Sequence, residues 1–178
     1  MFFTPVKILA PAALILLAGA VHAEQVEITT QTDLDGVTNS YCFDIKGGQD
    51  NADPADGLQA HTCYSYTGTL GTDQLFETDR FASNELYMPS FDVCATAADM
   101  TAGATLTLTT CDQSDAQSFA FTSTGTISPT AAPELCVGVG DETKFGRSKT
   151  HQIKTLTLQT CSTEDAETQQ WRTRTEDD

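Results

Sequence analysis

Short runs in which apolar and polar residues alternate dominate this chain. Val26-Glu27-Ile28-Thr29, Leu106-Thr107-Leu108-Thr109, Leu156-Thr157-Leu158-Gln159 and the stretch from Gln117 to Phe121 all carry the two-residue period of a half-buried strand. Thr is frequent in these runs, which suits a pleated surface. Gly, Asp, Asn and Pro interrupt the chain at intervals of roughly 8–12 residues, the spacing of turns in a sandwich or barrel. No long stretch has the 3.6-residue period of a helix. The pattern predicts an all-β domain.

A longer period lies over the short one. The cysteines at 42, 63, 94, 111, 136 and 161 form three consecutive pairs. Each unit opens on a cysteine with apolar neighbours: Tyr41-Cys42-Phe43, Val93-Cys94-Ala95 and Leu135-Cys136-Val137. A turn-rich loop follows, then an alternating strand ending in the second cysteine: Leu58 to Cys63, Leu106 to Cys111 and Leu156 to Cys161. A polar loop leads on to Gln-x-aromatic: Gln74-Leu75-Phe76, Gln117-Ser118-Phe119 and Gln169-Gln170-Trp171. First cysteines are 52 and 42 residues apart and second cysteines 48 and 50, so loops vary around a fixed strand core. A supersecondary unit that cannot bury its apolar face alone meets its copies around a shared core. The aromatic and the Leu that starts the strand then point inward. A Gln buried beside them needs hydrogen-bond partners, which favours a structural role for it.

The first residues read as a processing segment. Lys7 is the only charge before Glu24, Ile8 to Ala20 is almost wholly apolar, and Val21-His22-Ala23 offers small residues where a signal peptidase reads. The apolar run of about 13 residues is short of the roughly 20 that span a bilayer. We therefore expect a signal peptide over 1–23, a single domain over 24–178, and a secreted or periplasmic mature chain that does not insert in a membrane. An even cysteine count in a secreted chain reads as disulfides. Among the possible pairings the repeat selects Cys42–Cys63, Cys94–Cys111 and Cys136–Cys161, each stabilising by about 3 kcal/mol. Zinc is a poor alternative because no C-x-x-C pair occurs. No cofactor or metal is expected.

The formal net charge is −16; loss of Lys7 with the signal would make it −17. Such a surface repels nucleic acid and anionic membranes. Its simplest meaning is solubility outside the cell. The acid-rich loop from Asp50 to Gly57 does not have the spacing of an EF-hand calcium loop and reads as a solvated turn. No Asn stands in an N-glycosylation sequon. Catalysis is not expected. Only His61 and His151 follow the signal, there is no G-x-S-x-G elbow, and abundant carboxylates are not a pair held across a cleft.

The repeated Cys…Cys…Gln-x-aromatic pattern resembles the ricin B-type lectin family, from about Val26 to Arg172. The resemblance implies a β-trefoil of three four-stranded units, here over about 26–80, 81–127 and 128–175. Two of the three motif aromatics are Phe where the family prefers Trp. The family's sugar sites use an Asp two residues after the first Cys, an aromatic two residues before the second, and a polar residue just before the motif Gln. In the first unit these positions hold Asp44, His61 and Asp73, with Gln59 on the same strand face as His61 and Gln74 as the motif Gln. The second unit has Thr96, Thr109 and Ala116 there, and the third has Gly138, Gln159 and Thr168. The resemblance thus implies one carbohydrate site, in the first unit. Asp44 would accept hydroxyls, His61 would stack on the sugar, and Gln59, Asp73 and Gln74 would assist. The competing expectation is a trefoil that has lost sugar binding and serves as a protein-interaction or inhibitory module. A sugar site requires Asp44 and His61 to converge on one open pocket. A protein binder requires an exposed apolar patch, for which Tyr64, Tyr66 and Tyr87 are the candidates.

Overall fold

A computed structural model describes residues 23–37, 39–48, 51–63 and 71–175 of the chain. The expected signal segment, apart from Ala23, lies outside the described residues, as do Asp50, Tyr64 and Tyr66. Fourteen strands account for nearly all regular structure in the described chain. The first unit holds β1 (Gln25–Thr30), β2 (Tyr41–Ile45), β3 (Leu58–Thr62) and β4 (Leu75–Glu77). The second holds β5 (Tyr87–Met88), β6 (Val93–Ala97), β7 (Leu106–Thr109) and β8 (Phe119–Phe121). The third holds β9 (Ile127–Pro129), β10 (Leu135–Val139), β13 (Leu156–Thr160) and β14 (Trp171–Arg174), and between β10 and β13 it carries two extra strands, β11 (Lys144–Phe145) and β12 (Gln152–Lys154). A single-turn α-helix, α1 (Ala166–Gln169), precedes β14, and short 3-10 turns stand at Pro54–Asp56, Thr78–Ser83 and Asp115–Gln117.

The outer strands of the units pair around the molecule. β1 pairs with β4 and with β14, and β8 pairs with β9, all antiparallel. The inner strands form one hairpin per unit: β2–β3, β6–β7 and β10–β13. The second and third hairpins meet where Thr105 bridges Thr157 and Gly103 N–H donates to Leu158 O at 2.7 Å. This is the expected β-trefoil.

Alternation sorts the side chains. On β2 and β3, Phe43, Ile45, Leu58 and Ala60 point to the core, while Cys42, Asp44, Gln59 and His61 share the opposite face. The motif aromatics Phe76, Phe119 and Trp171 are all buried in the shared core. Trp171 meets Phe43 edge-on at 4.6 Å between centroids, and its indole N–H donates to Val137 O at 2.9 Å. The larger ring thus finds both an aromatic partner and an acceptor. The three disulfides join the pairs selected by the repeat, with Cα atoms 5.0–5.1 Å apart.

The third unit departs from the simple repeat. Its stretch between Val139 and Leu156 is not an irregular loop but a hairpin that reaches the first unit. There β12 pairs antiparallel with the outer edge of β3, placing Ile153 opposite His61 and Lys154 opposite Ala60. The hairpin base is fastened by Lys154. Its ammonium lies 2.9 Å from Asp35 Oδ2 and donates to Gly140 O and Asp141 O at 3.3 and 2.8 Å. The Tyr41 hydroxyl donates to Gln152 Oε1 at 2.7 Å beside it. A buried lysine is tolerable because the carboxylate and both carbonyls replace its water.

Candidate functional site

The site begins with strand register. Asp44 lies directly opposite Gln59 in the β2–β3 pair, so their side chains are neighbours on one face. Gln59 Nε2 donates to Asp44 Oδ2 at 2.7 Å, and Gln74 Nε2 donates to Asp44 Oδ1 at 3.0 Å. Each carboxylate oxygen therefore holds one amide donor and retains further acceptor capacity. Asp73 and Gln74 arrive from the turn before β4, where Asp73 O accepts the Ile45 N–H at 3.0 Å and locks that turn to the end of β2. The structure brings together Asp44, Gln59, Asp73 and Gln74.

The surroundings differ from the open pocket expected. Asp44 is 0% exposed, Asp73 1% and His61 4%. Gln59, half-exposed, is the member of the Asp44 cluster that reaches solvent. Burial pushes the Asp44 carboxyl well above the usual carboxylate range. The Gln59 and Gln74 amides pull it back, while the nearby Asp73 and Glu27 push it further up. Glu27 is itself raised by burial, against the pull of its ion pair with Arg174. Burial penalises the charged form of both acids, which is the leading cause of both shifts.

His61 does not present an open stacking face. Its Nδ1–H donates to Thr62 O at 2.7 Å, and its ring meets that of His151 edge-on at 5.7 Å between centroids. Burial, together with His151, lowers its pKa despite the Thr62 bond. His151 comes from the third-unit hairpin. This neighbour is not legible in the chain, because the two histidines meet only through the β12–β3 pairing.

The other two units show what the motif Gln does. Gln117 Oε1 accepts the N–H of Asp112 at 2.7 Å, and its Nε2 donates to Thr110 O at 3.0 Å. Gln169 repeats this with Ser162 N–H at 2.9 Å and Thr160 O at 3.1 Å. In both units the amide joins the two residues that flank the second cysteine, so the motif Gln is a structural clasp. Gln117 also reaches Thr96 Oγ1 at 3.2 Å, the position that Asp44 holds in the first unit. In the third unit the equivalent space is filled by Gln159, whose Oε1 accepts from Gln169 at 3.1 Å. Thr168 lines a separate cavity of about 300 Å³ with Asp35, Asp141 and Lys154.

Other candidates resolve into structural roles. Asp53 Oδ1 accepts the Ala55 N–H at 2.9 Å and caps a short turn, as a solvated turn acid does. Glu27 lies near the Cys42 and Cys63 sulfurs, but both are spent in a disulfide. Tyr87 is half-buried, donates to Asp92 Oδ1 at 3.0 Å and lies under the Arg80 guanidinium, 4.7 Å from its ring centroid. Among the described residues the exposed large apolar side chain is Phe145, at 60%. None of their helices is long and apolar enough to cross a membrane.

Residues 85–178 match the model of the ricin-type beta-trefoil lectin domain, more than half of the sequence. The chain belongs to that family. The match covers the second and third units and leaves out the first, where Asp44 lies. Solved structures agree on the fold at low identity. The mdaA-1 domain superposes with a TM-score of 0.62 at 17% identity, over 93% of this chain and 98% of that one. The agglutinin from Abrus precatorius gives 0.61 at 17%, over 91% of this chain and 52% of its own. The earthworm lectin C-terminal domain, in complex with 6'-sialyllactose, gives 0.58 at 15%, over 85% and 98%. No curated protein matches the chain in sequence.

Proposed function

We propose that this protein is a secreted, non-catalytic lectin domain that binds carbohydrate through one site in its first unit. The observation that carries this reading is the Asp44 carboxylate, held between the Gln59 and Gln74 amides with Asp73 beside it. A sugar edge offers vicinal hydroxyls. A fixed carboxylate flanked by amides both accepts from and donates to such an edge, and the charge-assisted bonds are the stronger ones. The second unit offers only Thr hydroxyls at the matching positions, and the third offers an amide packed into its own site. Among the structural neighbours, the earthworm lectin carries 6'-sialyllactose and, in a second structure, GalNAc, and a Momordica charantia homologue carries α-methyl-D-galactoside. A sugar hydroxyl reaches Asp44 by replacing the half-exposed Gln59 amide at Oδ2. One such site binds in about the millimolar range, so useful avidity comes from a multivalent surface.

The test is a glycan array probed with oxidised, multivalently displayed protein, beside Asp44→Ala, Asp44→Asn and Gln59→Ala. Binding that all three variants lose while keeping native circular dichroism supports the site. Binding that survives in the folded Asp44 variants rejects it.

The burial of Asp44 and His61 favours a second reading, a protein-interaction module without sugar binding. Absence of array binding by the wild type, together with a protein partner that docks around exposed Phe145, would establish it.

A further inference from the structure

The third-unit hairpin extends the face that carries the candidate sugar site. Register fixes the geometry: Cys42 lies opposite His61, His61 opposite Ile153, and Ile153 opposite Lys144. Directly opposite residues project from the same side of a sheet. One row therefore crosses β2, β3, β12 and β11 on the face shared with Asp44 and Gln59. His151 lies on that face too, with its ring against His61. At about 4.8 Å per strand, the row runs roughly 14 Å from β2 to β11; Cys42 and His61 in it are buried, and Ile153 and Lys144 are the members that reach solvent, beside half-exposed Gln59.

The hairpin is also chemically unlike the rest of the chain. Lys144, Arg147, Lys149 and Lys154 are four of the nine Lys and Arg residues, and no Asp or Glu occurs from 143 to 154, although the chain carries 25 acids. Lys154 is buried with Asp35 and holds the hairpin in place, whereas Lys144, Arg147 and Lys149 are exposed. An isolated basic island on a strongly acidic surface concentrates the potential that attracts anions at one place.

We infer that the hairpin is an anion-reading subsite, so that the ligand is an acidic oligosaccharide. One sugar residue engages Asp44 and Gln59, and a neighbouring residue sets its anionic group, a carboxylate or a sulfate ester, against Lys144 and the Arg147–Lys149 turn. Half-exposed Ile153 lies between them and offers apolar surface to a C–H face. The acidic remainder of the protein repels the same anion, which fixes the direction in which the oligosaccharide lies. This inference rests on the lectin reading above.

The experiment uses the oxidised full chain and pairs of glycans with one skeleton: sialylated and desialylated, uronic acid and its methyl ester, sulfated and desulfated. Wild type is compared with Asp44→Asn and with the triple variant Lys144→Gln, Arg147→Gln, Lys149→Gln, whose three sites are exposed and do not disturb the core. The expected result is that wild type binds the acidic member of a pair about tenfold more tightly. Added salt and the triple substitution should both abolish the preference, and Asp44→Asn should weaken both members. The kind of pair that shows the preference tells carboxylate from sulfate. Equal, Asp44-dependent binding of both members overturns the subsite and leaves the lectin standing. No Asp44-dependent binding to any glycan overturns both readings. Two further results also overturn the subsite. One is binding to phosphatidylserine vesicles that Phe145→Ser abolishes, and the other is self-association on sedimentation that the triple variant abolishes.

Discussion

Gly138 and Gln159 are complementary: a Cβ at residue 138 would lie 2.5 Å from Gln159 Oε1. The missing side chain makes room for the Gln159 amide, which donates to Val139 O at 3.3 Å and accepts from Gln169. Residue 138 stands where the first unit has Asp44. On the lectin reading proposed above, the third unit offers no sugar site for two reasons: its acid is absent and the space is filled by Gln159.

Restoring the acid alone should therefore fail. Gly138→Asp forces the Gln159 side chain out of its hydrogen bonds, and we expect a loss of about 1–3 kcal/mol. Adding Gln159→Ala should recover most of that loss by clearing the clash. Urea unfolding of the single and double variants measures the coupling. Additive losses would show that the two side chains do not compete.

The motif Gln residues should behave as structural groups. Gln117→Ala leaves the Asp112 N–H and Thr110 carbonyl without their partner, at a cost of about 1–3 kcal/mol. Gln169→Ala should cost a similar amount through Ser162 and Thr160. Neither change should alter glycan binding at the first unit. Chemical denaturation checks the first claim and array binding the second.

Trp171→Phe tests why one unit kept the larger ring. The change strands Val137 O and leaves a void against Phe43, so we expect a loss of about 1–3 kcal/mol. If the loss is negligible in thermal unfolding, the Trp is not required by packing.

Asp44 gives stability a definite pH dependence. Its folded pKa lies above the unfolded value, so the folded state binds the extra proton. The stability tied to that proton is present in acid and is lost as pH rises from the ordinary carboxylate value through the raised one. Asp44→Asn removes the titration and keeps an acceptor. The wild type should lose stability relative to Asp44→Asn as pH rises from about 4 toward neutrality. His61, lowered by burial, acts in the opposite sense and destabilises the fold as pH falls through the ordinary histidine value. The comparison at fixed His61 isolates Asp44. A difference between the two proteins that does not change with pH would remove the buried-proton account.

The Lys154 anchor predicts local rather than global weakness. Lys154→Ala removes the ammonium from Asp35 and from the Gly140 and Asp141 carbonyls at the hairpin base, leaving Asp35 only its hydroxyl donors. Hydrogen exchange of the amides in β12 should rise well above that of β2, with the core barrel unchanged. Uniform acceleration across the barrel would contradict a separable hairpin.

The local and repeated parts of this protein can be read from the chain alone. Alternation marked β1, β3, β7, β8 and β13, and the three-fold cysteine and Gln-x-aromatic spacing marked the units and their disulfides. It also marked the clasp role of Gln117 and Gln169, because each contact closes within about ten residues of its own unit. The cluster of Asp44, Gln59 and Gln74, whose contacts span 15 and 30 residues, was legible only through the resemblance of the repeat to the lectin family. The tertiary structure alone decided what lies across units. Lys144–Phe145 and Gln152–Lys154 read as loop, because strands this short carry no usable period. They become a hairpin only because closure of the trefoil leaves the edge of β3 open beside them. That pairing places His151 against the buried His61 ring and sets Lys144 on the face of Asp44. The burial of Asp44 was likewise invisible in the chain, since an acid after a cysteine reads the same whether solvent or protein surrounds it. Periodicity tells which face of a strand a residue occupies. What covers that face depends on which distant segment packs there.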